Sequence, residues 1–463
     1  MKFDPAETAR NMVRRALWSR LSGVQLFVLS FAGLILAGTV GLLVLPGLYT
    51  GPRLGVIDAL FTVTSAVCVT GLTVVDTATY FTWWGQAWIL LCIQAGGLGI
   101  LTFATLIIHT LGRQSALHVE AATSAGVAAQ TGDARTMVRA VLALTFTIEV
   151  VGAAGLWLAW REPLGAGPAV WHGVFHAISA FCNAGFSTFS ENLVRWRESP
   201  PVLLTIQTLI VLGGLGFVVL EELRDRFWRH RVRRLSTHAR LVLLTTAVLM
   251  VGGAVLYFAF EARGTLRPLG VVDRAVNAMF MSITPRTAGF NAVDYNQVSN
   301  PSVALTVALM LVGGSPGSTA GGVKTTTAAL LALLVVARLR GARNVSVWRR
   351  TVPWDTVHNA TSLVVGAITI LAIGIFLLLM TEPANGGAER SDFVRLVFEA
   401  HSAFGTVGLS MNKSTELTPA GRLIVSALMF VGRVGPLGLT AAMVFRRGHG
   451  PDARYGFDEV VVG

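Results

Sequence analysis

Charge is what this sequence has least of. Asp, Glu, Lys and Arg make up 13% of it, against about a quarter in a soluble globular chain. Hydrophobic residues make up 53%, and the mean hydropathy is +0.62. That deficit excludes a soluble globular protein and places the chain in a bilayer. No large polar block interrupts the 463 residues, which leaves no room for a separate soluble domain. Cysteine is also scarce. Cys68, Cys92 and Cys182 have neither metal-ligand spacing nor a framework pattern and read as reduced apolar residues. No G-x-x-x-x-G-K-[ST] stretch occurs, which excludes ATP hydrolysis by that route. The first twenty residues are basic, and the apolar run that follows is too long for a signal peptide and has no convincing cleavage site. The net charge of +12 could suggest nucleic acid. The bases cluster between apolar runs, however, as the positive-inside bias produces, so no nucleic-acid partner is expected.

Eight segments are long and apolar enough to cross about 30 Å of hydrocarbon: 22–46, 83–110, 137–160, 200–221, 239–261, 301–337, 358–381 and 421–445. Four shorter ones, 54–67, 169–182, 271–284 and 391–404, cannot span and predict re-entrant helices. The run Arg224–Arg234, then Arg338, Arg340, Arg343, Arg349 and Arg350, the basic N-terminus, and Arg446, Arg447 and Arg454 fall on one side if eight spans alternate. That side is read as the cytoplasm, with both termini on it. The arginine run also suits anionic membrane lipid, although topology alone explains it.

The order long, short, long occurs four times, and the ends of the short segments align. They read Thr64-Ser-Ala-Val-Cys-Val-Thr-Gly71, Ile178-Ser-Ala-Phe-Cys-Asn-Ala-Gly185, Ser282-Ile-Thr-Pro-Arg-Thr-Ala-Gly289 and His401-Ser-Ala-Phe-Gly-Thr-Val-Gly408. The following spans carry Gly96-Gly97, Gly213-Gly214, Gly313-Gly314 and Gly432-Arg433 in register. The expected fold is therefore an all-α membrane protein: four M1–pore helix–M2 repeats in one chain around a pseudo-fourfold cation pore. It would have eight transmembrane helices and four re-entrant pore helices. The segments are an N-terminal cytoplasmic piece (1–21), repeats at 22–111, 112–230, 231–345 and 346–447, and a C-terminal cytoplasmic tail (448–463).

A dehydrated cation needs oxygen ligands, and rings of backbone carbonyls supply them without a net charge that would trap it. Glycine reaches the left-handed angles that such a loop needs. Short helices also aim their partially negative C-termini at the pore centre. The four loops, the glycine-rich sixth span and the arginine in the eighth resemble the Trk/Ktr/HKT superfamily of potassium transporters, with the membrane subunits of bacterial Ktr systems as the nearest branch. The resemblance runs over nearly the whole chain. It implies a potassium filter at Val69, Thr70, Gly71, Asn183, Ala184, Gly185, Thr287, Ala288, Gly289, Thr406, Val407 and Gly408. It also implies potassium uptake across a bacterial cytoplasmic (inner) membrane, with sodium a candidate modulator and no cofactor in this chain. The implied partners are a second copy, forming a homodimer, and a cytoplasmic ring of nucleotide-binding, KtrA-like subunits responsive to ATP and ADP. Glycine at 71, where plant members can carry serine together with sodium transport, implies potassium.

The sixth span contains Gly313-Gly314-Ser315-Pro316-Gly317-Ser318-Thr319-Ala320-Gly321-Gly322-Val-Lys324. Inside a helix proline costs about 3 kcal/mol and each glycine about 1, so the helix breaks at membrane depth. The alternatives are a passive kink or, as the resemblance implies, a gating loop below the filter. Arg433 lies mid-span, where an arginine costs about 2.5–3.5 kcal/mol. It is either paired with a buried carboxylate or a barrier to cations. Lys324 is either an anchor of the loop or a snorkelling side chain. Arg286 would brace the third loop from behind. Asp58 and Asp273 suit short-helix N-termini, Glu399 suits bracing, and Glu149 is a candidate partner for a buried base. His109, His176 and His401 read as packing or hydrogen-bonding residues. A sodium- or proton-coupled secondary carrier is the alternative function. An enzyme built on Ser315 or Ser318 is not expected, because no histidine is placed to serve it.

Overall fold

A peptide group that leaves water for hydrocarbon must be paired within its own segment, and helices accordingly dominate the chain. The computed structural model describes residues 23–99, 134–227, 234–348, 350–382 and 392–435. The N-terminal piece (1–21), the tail (448–463), His109, Arg229, Arg231, Arg233, Arg349, Arg446, Arg447 and Arg454 lie outside the described residues.

Among the described residues, four helices are long and apolar enough to cross a membrane: α1 (Gly23–Val44), α5 (Ala134–Leu164), α9 (Thr237–Glu261) and α13 (Trp354–Thr381). Four short ones, α2 (Val56–Val67), α6 (Ala166–Phe181), α10 (Val271–Ile283) and α14 (Asp392–Gly405), lie where re-entrant helices were expected. One helical turn, α3 (Thr77–Tyr80), precedes α4 (83–99).

Two expected spans are not continuous helices. The segment read as 200–221 is α7 (Pro200–Leu215) and α8 (Phe217–Phe227), bent by 105° at Gly216. The segment read as 301–337 is α11 (Asn300–Met310) and α12 (Thr325–Leu339), joined by a non-helical stretch at 311–324. The last span is helical as α15 (Pro419–Val434) and breaks at Gly435, and its expected remainder lies outside the described residues. The chain is also not wholly α: Ser346–Val347 and Arg350–Thr351 pair as a small antiparallel hairpin, β1 and β2.

The helix starts follow local chemistry. Proline occupies the first turn of α7, α11 and α15, where its missing N–H has no partner to lose. Ser299 and Thr418 cap α11 and α15 by accepting from Ser302 N and Gly421 N. A buried carboxylate at the end of the preceding long helix, Glu261 for α11 and Glu382 for α15, accepts from each cap residue in turn.

Each short helix packs on the helix that follows the previous short helix, and these contacts run in a cycle. Trp171 of α6 donates to Gln86 of α4 (2.8 Å), and Gln207 of α7 donates to the Val276 carbonyl of α10 (2.9 Å). Helix α11 packs on α14. Helix α15 returns to the start, where its Arg422 forms an ion pair with Asp58 in the first turn of α2. Val67, Cys182 and Phe404, at the C-terminal ends of three short helices, belong to one buried apolar cluster.

Candidate functional site

Each short helix ends in a loop with the same alternation of handedness. Val69, Asn183, Thr287 and Thr406 have φ of 55°, 61°, 73° and 49°. Two residues on, Gly71, Gly185, Gly289 and Gly408 have φ of 98°, 70°, 75° and 95°. The loop N–H groups turn back onto their own helices. Thr70, Ala184 and Val407 each donate over 2.7 Å to the carbonyls of Ser65, Ser179 and Ser402. The third loop, which contains Pro285, uses a looser bond from Ala288 N to Thr284 O (3.0 Å).

The four glycines meet in chain order. A Cβ on Gly71 would strike Ala184 O and Gly185 Cα, and one on Gly185 would strike Ala288 O and Gly289 Cα. A Cβ on Gly289 would strike Val407 O and Gly408 Cα, and one on Gly408 would strike Thr70 O and Gly71 Cα. The ring closes on itself, with the carbonyls of Ala184, Ala288, Val407 and Thr70 each against the glycine of the preceding loop, Gly71, Gly185, Gly289 and Gly408 in turn. Sequence reasoning placed these loops together, and the structure brings all four together. On one side the ring opens into a cavity of about 580 Å³ lined by Asp76, Glu191 and Asp294, with no Lys or Arg among the described residues of its lining.

On the other side lies the stretch 311–324. It is tied to itself by Gly313 N to Val323 O (2.8 Å) and Thr325 N to Gly314 O (3.0 Å). It is tied to the broken end of α7 and the start of α8 by Ser315 N to Gly214 O (2.9 Å), Thr319 N to Gly213 O (3.2 Å) and Phe217 N to Gly317 O (3.0 Å). It touches the residues two before the ring glycines: the Asn183 amide lies 3.2 Å from Thr319 Oγ1, and Cβ atoms on Gly313 and Gly321 would meet Thr287 and Thr406. Pro316 turns the stretch, and Ala320 and Gly322 complete it under Ser318, whose hydroxyl donates to Ser315 O (2.6 Å). Both serines are thus used inside the loop.

Three cations hold this loop. Arg433 Nη1 donates to the Thr319 carbonyl, Lys324 Nζ to Ala320 O (2.6 Å) and Arg286 Nη2 to Gly313 O (3.4 Å). Of the two readings of Lys324, the anchor is the one observed. Among the described residues Arg433 forms no ion pair, and its Nε and Nη2 have no partner. The buried-carboxylate alternative for Arg433 is therefore not what the structure contains.

Among the described residues Glu149 pairs with no base either, and it accepts from the neutral amide of Gln94 (3.1 Å). Asp58 and Asp273 lie in the first turns of α2 and α10, as expected. Glu399 accepts from the hydroxyls of Ser410 (2.9 Å) and Ser414. His401 hydrogen-bonds Val397 O at 2.7 Å. Sequence reasoning missed why the first glycine of three aligned pairs is needed. Cβ atoms on Gly96, Gly213 and Gly432 would strike the carbonyls of Val67, Phe181 and Phe404, the last or next-to-last residues of the short helices.

Residues 15–450 match the TrkH family, described as cation transport proteins. The chain is 38% identical to the Ktr system potassium uptake protein B of Bacillus subtilis, over 96% of this chain and 98% of the relative. It is 35% identical to the potassium/sodium uptake protein NtpJ of Enterococcus hirae, over 97% of this chain and 98% of the relative. The crystal structure of the potassium transporter TrkH from Vibrio parahaemolyticus superimposes with a TM-score of 0.73 at 18% identity, covering 92% of this chain and 86% of that one. With a family match over most of its length and relatives of this identity, the chain belongs to the TrkH family of cation transport proteins.

Proposed function

We propose that this chain is the ion-translocating subunit of a potassium uptake system. The observation that carries the reading is the closed succession Gly71, Gly185, Gly289, Gly408, with a backbone carbonyl at each junction. Carbonyls so arranged replace the water of a bare cation without trapping it, and four short helices direct their negative ends toward it. The filter comprises Val69, Thr70 and Gly71 and their counterparts in the other three loops. The repeats 22–111, 112–230, 231–345 and 346–447 surround it as four M1–pore helix–M2 units. The carboxylate-lined cavity faces outward and enriches cations at the entrance, while both termini face the cytoplasm.

The loop Gly313–Gly322, held by Lys324 and Arg433, is the gate. It lies against the filter residues, and the guanidinium adds a positive charge beneath them. The relatives from Bacillus subtilis and Vibrio alginolyticus are named as parts of a Ktr system. By analogy this chain works as a homodimer with a cytoplasmic nucleotide-binding ring, in the inner membrane of a bacterium, with sodium a modulator. A sodium- or proton-coupled carrier is the second reading, favoured by the two broken helices at α7/α8 and α11/α12.

The test is growth rescue of a bacterium lacking its own potassium uptake, followed by rubidium and sodium flux into vesicles containing the purified protein. Rescue with rubidium flux that needs no sodium or proton gradient is the expected result. Flux that stops when such a gradient is removed would favour the carrier. No rubidium flux would defeat the potassium reading.

A further inference from the structure

The structure shows a twofold pattern laid over the fourfold one. Nine residues before the ring glycine, loops 2 and 4 carry His176 and Glu399, both fully buried. Two residues after the glycine they carry Ser187 and Ser410. His176 Nε2 lies 2.9 Å from Ser187 Oγ, and Ser410 Oγ donates to Glu399 Oε2 over 2.9 Å. The proton positions are consistent at both places. His176 Nδ1 lies 2.8 Å from His172 O, which accepts its proton and leaves Nε2 as an acceptor. Ser187 Oγ accepts from Phe189 N (2.9 Å) and so donates to His176. The Glu399 carboxylate is likewise the acceptor for Ser410 and Ser414.

Loops 1 and 3 have Thr62 and Phe280 at the first position and Thr73 and Asn291 at the second. Thr62 spends its hydroxyl on Asp58 O (2.8 Å), and Phe280 has none to give. The glycine ring runs 71, 185, 289, 408, so loops 2 and 4 stand opposite one another.

We propose that His176–Ser187 and Glu399–Ser410 are paired braces on one diagonal of the ring. They tie the strand leaving each glycine to the short helix that enters it, and so set the carbonyl spacing that favours potassium over the smaller sodium ion. His176 and Glu399 are positioning residues, acting through the loops rather than on the ion. A carbonyl ring free to contract accommodates a smaller cation, and a buried hydrogen bond on either side of the bend resists that contraction. This inference rests on the filter reading above.

The experiment compares rubidium and sodium flux in vesicles for the wild type, Ser187→Ala, Ser410→Ala and the double variant. Each single variant is expected to lower the rubidium-to-sodium ratio by about two- to tenfold, the range of one buried hydrogen bond. The double variant is expected to show the product of the two losses, because the loops share no partner. Ser410→Thr keeps the hydroxyl and is expected to keep the ratio, which a merely bulk-packing role would not predict. Wild-type ratios in both alanine variants would overturn the braces. Should either alanine variant fail to fold, Glu399→Gln keeps the shape with one acceptor oxygen fewer. It is expected to lower the ratio, and an unchanged ratio there would also overturn the proposal. A wild-type protein that does not prefer rubidium over sodium would instead remove the filter reading itself.

Discussion

Gly216 and Gly435 end their helices in the same backbone conformation, φ 85° and ψ 147° for one and φ 82° and ψ 148° for the other. Each stands three residues after an aligned glycine, Gly213 or Gly432, that packs on a short-helix carbonyl. The two helix breaks are therefore one device used twice. At Gly216 the bend carries the anchor of the loop 311–324, because a Cβ there would meet Pro316 O and the Gly317 carbonyl.

That geometry makes Gly216→Ala a test of the proposed gate. A side chain at these angles costs about 1–3 kcal/mol and pushes on the very peptides that Phe217 N holds. Converted to an equilibrium between held and released loops, that is a shift of about fivefold or more. Rubidium flux into vesicles is expected to rise by that order with the ion ratio unchanged. Flux at the wild-type level would mean the bend does not hold the gate.

Removing 314–321 takes away the proposed gate. Flux is expected to rise further than in Gly216→Ala, because no loop remains to return. Unchanged flux would show that the path does not pass this stretch.

Arg433→Ala removes both the donor to Thr319 O and a buried positive charge. Losing a charge-assisted hydrogen bond costs the closed arrangement about 1.5–3 kcal/mol, so flux is expected to rise by about ten- to a hundredfold. Arg433→Lys keeps the charge without the planar fork and is expected to fall between. If alanine and lysine behave alike, the charge is irrelevant and only the guanidinium bond matters.

Gly185→Ala tests the ring. The residue has φ of 70°, and the added Cβ would lie 2.8 Å from Ala288 O and 2.9 Å from Gly289 Cα. At about 1–3 kcal/mol of strain, with each 1.36 kcal/mol worth a factor of ten in rate, rubidium flux is expected to fall at least about fivefold. The protein should still run as a single species on gel filtration. Full flux would contradict the filter assignment.

The ring was legible because four aligned loops repeat a glycine that only one conformation explains. The break at 313–322 was legible because Pro316 and five glycines cannot sit in a helix. The bend at Gly216 was not. Gly213-Gly214-Leu-Gly216 reads as ordinary apolar membrane helix, and its angle depends on contact with a loop one hundred residues later in the chain. Partners of lone polar residues were equally hidden. Glu149 finds Gln94, and Arg433 finds a carbonyl in the non-helical stretch 311–324, neither at any local spacing. The serine braces bridge a helix and the strand after its loop, a separation with no periodic signature.

Glu261 separates folding from transport. At the end of α9 its carboxylate accepts from Ser299 N (2.8 Å), Ser299 Oγ (2.7 Å), Ser302 Oγ (2.5 Å) and Thr265 Oγ1 (2.9 Å), so it closes the N-terminus of α11. None of these atoms belongs to the ring or the stretch 311–324. Glu261→Ala leaves several buried donors without an acceptor, at about 1–3 kcal/mol for each group left unpaired. The melting temperature of the detergent-solubilised protein is expected to fall, while the rubidium-to-sodium ratio of the surviving protein holds. A changed ratio at an unchanged melting temperature would mean that the N-terminal end of α11 reports directly on the filter, and the division between the cap and the ion path would have to be redrawn.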